Sequence, residues 1–137
     1  MLDWTMFMPT PVVFGPGCIE RVGDYLDGAR RVLLVTGRHA MQAAGVTDRL
    51  VGLLQDAGVT VRVFSDISAE PNCDEIEAAA ALARQFDAQI IIGCGGGSVL
   101  DAAKAVAVAV THAGSIMDYV GGGPRTLTEA TLPTIAI

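Results

Sequence analysis

The chain has 137 residues, enough for one domain with a sizeable core and too few for two. Acidic residues outnumber basic ones 15 to 9, a formal net charge of −6, which argues against a chain that tracks nucleic acid along its length. Hydrophobic residues make up 51% of the sequence, so either a membrane or a well-covered surface has to account for them.

The start, Met1-Leu2-Asp3-Trp4, lacks the basic flank and continuous apolar run of a secretory signal. Cys18, Cys73 and Cys94 are odd in number and carry no metal-type spacing, which fits free thiols in a reducing compartment. A cytoplasmic location is expected. Trp4, Phe7 and Met8 suit packing or a subunit contact, and a homo-oligomer is expected.

Short apolar runs then alternate with helical patterns. Strands are predicted over Pro11–Phe14, Arg31–Thr36, Thr60–Phe64, Gln89–Gly93 and Pro133–Ile137. Val32-Leu33-Leu34-Val35 and Ile90-Ile91-Ile92 are continuous apolar runs, as parallel strands buried on both faces require. Between them, Ile19, Val22 and Leu26 share a helical face that stops at Asp27-Gly28. Val46, Leu50, Leu53, Leu54 and Ala57 form a second stripe ending at Gly58. Asn72 followed by Glu75 has the spacing of a helix cap, leading into Ile76, Ala79, Ala80 and Ala83. A further helix opens at Gly97 or Ser98 and runs to about Thr111. This alternation predicts an α/β fold: a Rossmann-like parallel sheet with flanking helices, in a single domain over residues 1–137.

The last helix is the most apolar stretch. Ala102–Val110 is broken by Lys104 and far short of the roughly 20 residues that a membrane span needs. Apolar nearly all round, it expects cover on more than one side. The sequence then ends on a strand pattern, where open parallel sheets place a site loop. A domain that continues beyond Ile137 is expected.

The sharpest chemical signal is Ile90-Ile91-Ile92-Gly93-Cys94-Gly95-Gly96-Gly97-Ser98-Val99-Leu100-Asp101. A buried strand runs through three consecutive glycines into a helix N-terminus. Glycine lets a backbone approach a ligand closely, and the free amides and positive dipole end of the helix suit a phosphate or pyrophosphate. Ser98 either caps the helix or donates to a phosphate oxygen. Asp101 either completes a capping box or meets a sugar or nicotinamide. The turn is neither G-x-G-x-x-G nor a P-loop, and by itself it specifies an anion and no particular ligand.

The string Gly95-Gly96-Gly97-Ser98-Val99-Leu100-Asp101-Ala102-Ala103-Lys104 resembles the GGGS-x-x-D-x-x-K signature of the iron-containing (group III) alcohol dehydrogenases. Phe14-Gly15-Pro16-Gly17, Val32–Thr36, Glu70-Pro71-Asn72 and Leu132–Ile137 resemble other segments of that family in the same order. The resemblance implies an N-terminal domain that holds NADP or NAD and a C-terminal helical domain, lacking here, that binds a divalent metal, iron or zinc. Gly95, Gly96, Gly97 and Ser98 would hold the pyrophosphate, Asp101 would face the nicotinamide side, and Pro71 and Asn72 would sit near the adenosine half. The family's metal ligands, an Asp and three His, would lie beyond Ile137, and His39 and His112 match none of them. No catalytic residue is therefore expected in this chain, and as a fragment it should be inactive.

NAD-preferring members of the family often carry Asp after the second strand; here Gly37 and Arg38 follow Thr36. A guanidinium in place of a carboxylate suits a 2′-phosphate and points toward NADP, unless Arg38 is a solvated first-turn residue. The implied substrate is a small alcohol or carbonyl compound, with hydride passing to or from the nicotinamide. Related folds with a similar turn leave open glycerol dehydrogenase, maleylacetate reductase and dehydroquinate synthase chemistry, or a non-catalytic nucleotide-binding module. Cys94 reads as a buried thiol, His39 as a surface residue and His112 as a partner of helix-terminal carbonyls. Lys104 either pairs with Asp101 or extends to solvent. Gly121-Gly122-Gly123-Pro124 reads as a loop near the pocket.

Overall fold

The computed structural model describes residues 3–128 and 130–137. Its centre is a four-stranded parallel sheet in the order β2-β1-β3-β4. The strands are β1 (Arg31–Gly37), β2 (Thr60–Ile67), β3 (Ile90–Cys94) and β4 (Thr134–Ala136). The helices are α1 (Ala40–Ala43), α2 (Val46–Asp56), α3 (Cys73–Gln85) and α4 (Gly97–Thr111), with 3-10 turns at Cys18–Tyr25 and Ile116–Tyr119.

The continuous apolar runs are the two central strands, and both are buried along nearly their whole length. Alternation then sends successive side chains to opposite faces. Val32, Leu34, Ile90, Ile92 and Cys94 pack with Leu50 and Leu54 of α2, with Val22 of the first 3-10 turn and with Leu26 just after it. Leu33, Val35 and Ile91 pack with Ala79, Ala80 and Ala83 of α3 and with Ala103, Val106 and Ala107 of α4. Each face of the sheet thus carries its own core.

The expected helix at Ser98–Thr111 forms, and this chain supplies its cover. Val99, Ala102, Ala103, Val106, Ala107 and Ala109 are all buried, chiefly against β3 and α3. Pro11–Phe14 departs from expectation and forms no strand. Pro11 lacks an N–H to donate, and the segment stands across a groove from the edge of β4 without pairing to it; Val12 and Phe14 are 74% and 99% exposed.

Candidate functional site

Direction of crossover positions the site. The connection after β1 places α2 on one face of the sheet, whereas the connection after β3 places α4 on the other. Ligands of open parallel sheets occupy the crevice outside the strand carboxyl ends where this reversal occurs. A cleft of about 570 Å³ opens there, within the usual size range of small-molecule sites. Gly37, Arg38, His39 and Ala40 line it after β1, Ser68 and Ala69 after β2, and Gly96, Ser98 and Val99 after β3.

The glycines of the β3–α4 turn answer to different demands. A Cβ on Gly93 would lie 2.7 Å from Ala103 Cβ, so this glycine lets β3 and α4 meet. Gly95, at φ +154°, would bring a Cβ within 3.0 Å of Val99. At Gly96 and Gly97 a Cβ would meet nothing within 4 Å, and Gly96 has ordinary extended dihedrals of −73° and 176°. Neither packing nor backbone strain explains the last two. Among the described residues, moreover, the N–H groups of Gly96, Gly97 and Ser98 have no hydrogen-bond partner, whereas Val99 N donates to Gly96 O at 2.9 Å. Open space and bare amides together make a cradle for an oxygen-rich group.

Ser98 does not cap α4. Its hydroxyl donates to Ala69 O at 2.6 Å and ties the start of α4 to the β2–α3 loop. Arg38 points its guanidinium at Glu75, with Nη2 3.3 Å from Oε1. The other carboxylate oxygen of Glu75 accepts from Ser68, from its amide at 3.3 Å and its hydroxyl at 3.0 Å. Partial burial pushes the Glu75 carboxyl up, but the Ser68 amide and hydroxyl, the Asn72 backbone and the Arg38 charge outweigh it and hold the group below its ordinary value.

Pro71 and Asn72 lie farther along the β2–α3 loop and do not line the cleft. Asn72 caps α3, its Oδ1 accepting from Glu75 N at 3.0 Å. Asp101 also lies outside the lining; it is exposed and pairs with Lys104 at 2.9 Å. His39 sits at the cleft and is exposed. Cys94 is buried, and desolvation raises its pKa, which suits an inert thiol. His112 Nδ1 lies 3.0 Å from Val108 O, at the end of α4. In the glycine loop at 121–124, Gly123 N–H donates to Val120 O at 2.7 Å, and none of the loop lines the cleft. Ser68, Ala69 and the ionic role of Glu75 escaped the sequence reading. That reading ended β2 at Phe64, three residues before Ile67, so the residues at the strand's true carboxyl end went unmarked.

Among the described residues, no three His, Cys, Asp or Glu gather as metal ligands. No helix among them is long and apolar enough to cross a membrane.

A parallel α/β sheet of Rossmann-like kind, with an anion-ready turn at its switch point, defines the class. Residues 9–137 match the model of the family described as iron-containing alcohol dehydrogenase. The chain belongs to that family. It is 31% identical over 119 residues to a probable NADH-dependent butanol dehydrogenase 2 of Bacillus subtilis, covering 86% of this chain and 30% of the relative. It is 32% identical over 113 residues to an NADPH-dependent butanol dehydrogenase of Clostridium saccharobutylicum, covering 82% and 29%. The crystal structure of NADH-dependent butanol dehydrogenase A from Thermotoga maritima superposes with a TM-score of 0.90 at 31% identity, covering 98% of this chain and 34% of the other. This chain spans about a third of the length of such relatives.

Proposed function

We propose that this chain is the nicotinamide-dinucleotide-binding part of an alcohol dehydrogenase that interconverts a small alcohol with an aldehyde or ketone. The observation that carries the reading is the pair Gly96 and Gly97, glycines that the fold does not need, with three amides that have no partner among the described residues, at a switch-point cleft that Gly96 and Ser98 line. The NADH- and NADPH-dependent butanol dehydrogenases among its relatives support the same cofactor class.

In this reading Gly96, Gly97 and Ser98 hold the diphosphate through backbone N–H groups and the positive end of α4, while Gly95, whose N–H donates to Ile137 O at 2.9 Å, shapes the turn beside it. Gly37 gives the adenosine ribose room at the end of β1, and Arg38 offers a cation to a 2′-phosphate, which favours NADP over NAD. Pro71 and Asn72 border the adenosine half, and Asp101 lies toward the nicotinamide half. When bound, the nicotinamide carries the hydride of the reaction. The chain's own contribution is to bind and orient. Its described residues do not assemble a site for a divalent metal.

Gly96→Ala separates a binding role from a folding one. The variant should keep its thermal midpoint, because its Cβ enters open space, yet bind NADP and NAD at least about tenfold more weakly, since the methyl group occupies the phosphate's position. Unchanged affinity for both dinucleotides in calorimetric titration would remove the reading's support. Dinucleotide binding without alcohol oxidation is expected of this chain alone, and metal-dependent turnover by it would contradict the assignment of chemistry elsewhere.

A further inference from the structure

Arg38 is the only Lys or Arg among the described residues lining the cleft, and it is not free. Helix α3 begins at Cys73 under the Asn72 cap, which sets Glu75 in its first turn, beside the end of β2. There Ser68 grips one carboxylate oxygen by amide and hydroxyl, while Arg38 meets the other at 3.3 Å. The two partners are unequally held. The Glu75 side chain is 13% exposed and anchored by Ser68, whereas that of Arg38 is 54% exposed. Glu75 does not itself line the cleft; it stands behind the two residues that do.

We infer that Glu75 is a positioning residue for cofactor choice: it holds and partly neutralises Arg38, weakening the cleft's selection for a 2′-phosphate over a free 2′-hydroxyl. The inference rests on reading this cleft as the dinucleotide site. A phosphate that approaches Arg38 has to share the guanidinium with Glu75 and also feels the carboxylate's like charge a few ångströms behind it. A ribose with a free hydroxyl carries no such charge and escapes the repulsion. The fixed Ser68 contacts keep the carboxylate from swinging away when a phosphate arrives. Its lowered pKa keeps it ionised at neutral pH, so the opposition persists under ordinary conditions.

The test is titration calorimetry of NADP and NAD against the full chain and against Glu75→Gln, Glu75→Asp, Arg38→Ala and the Arg38→Ala/Glu75→Gln double variant. Glu75→Gln keeps the shape and removes the charge, and should tighten NADP binding roughly threefold to tenfold while NAD changes by less than about twofold. Glu75→Asp retains the charge and should stay near the wild-type ratio. The gain should vanish in the double variant and shrink at high salt, since it is a screened charge effect at a half-exposed group. Equal changes for both dinucleotides, weaker NADP binding in Glu75→Gln, or a gain that survives without Arg38 would each overturn the inference while leaving the dinucleotide site standing. Failure of the wild-type chain to bind either dinucleotide would overturn the site and this inference together.

Discussion

Gly93, Gly95, Gly96 and Gly97 crowd into five residues, yet a methyl group would meet Ala103 at the first, Val99 at the second and nothing within 4 Å at the last two. Gly93→Ala drives a Cβ into Ala103 and should destabilise the chain by about 1–3 kcal/mol, the usual cost of overpacking. Gly96→Ala should leave urea unfolding unchanged, so equal losses in the two variants would refute the division of labour. The sequence showed the glycines and their place between strand and helix. It could not show which served packing and which faced open space, because that depends on Ala103 and Val99 from the following helix. Glu75 is a similar case. Its spacing from Asn72 was legible as a cap, and the Asn72 side chain does cap α3. Its ionic partners were not, since Arg38 lies 37 positions away. A carboxylate with a lowered folded-state pKa contributes stability above the ordinary Glu value and loses it as pH falls through the lowered one. The stability difference between wild type and Glu75→Gln should therefore stay constant from neutrality to about pH 5 and shrink below about pH 4. A difference that instead grows in acid would show that the carboxyl is stabilised in its neutral form.

Among the elements, α4 carries the most tertiary burden. Its apolar circumference predicted cover on several sides, and its alanines allow the close approach of β3 and α3 that provides it. What the sequence left hidden was the treatment of its last turn. A helix ends with carbonyls that lack intrahelical partners. Here Arg84, from the last turn of α3, reaches across with Nη2 at 2.6 Å from Ala109 O and Nε at 3.3 Å from Val110 O. His112 adds a contact with Val108 O, as its position in the sequence suggested. Thr128 N–H donates to His112 Nε2 at 3.0 Å, so Nδ1 carries the ring proton and donates to that carbonyl. Arg84→Ala removes a cation and two donors from a negative helix end and should cost about 1–3 kcal/mol in chemical denaturation. Arg84→Lys should recover part of that loss, as a point charge without the guanidinium's fork. A full loss in the lysine variant would show that the geometry of two donors matters and the charge does not.

At the scale of the whole molecule, the sheet order puts the best-buried strands at the centre, and the loops after β1, β2 and β3 converge on one cleft. This much followed from the alternation of apolar runs and helical stripes, because parallel strands with helical crossovers admit few arrangements. With α4 covered by β3 and α3, exposed apolar surface has to lie elsewhere. The structure places it on the N-terminal segment, where Trp4, Met6, Phe7, Met8, Val12 and Phe14 are all more than half exposed. Beside them a groove of about 840 Å³ runs between residues 10–13 and the open edge of β4, where Ile135 and Ile137 lie. A cluster of this kind, next to a strand edge with unpaired backbone groups, favours association over solvation. The chain should bind a hydrophobic dye and sediment as larger species with rising concentration. Trp4 is the single tryptophan and 80% exposed, so its emission should shift to shorter wavelength as association covers it. Replacing Phe7 and Phe14 with Ser should weaken both effects without changing the unfolding midpoint, because neither ring contributes to the two cores. If the wild-type chain stays monomeric and dye-free at high concentration, the N-terminal segment is not the adhesive surface that its exposure implies.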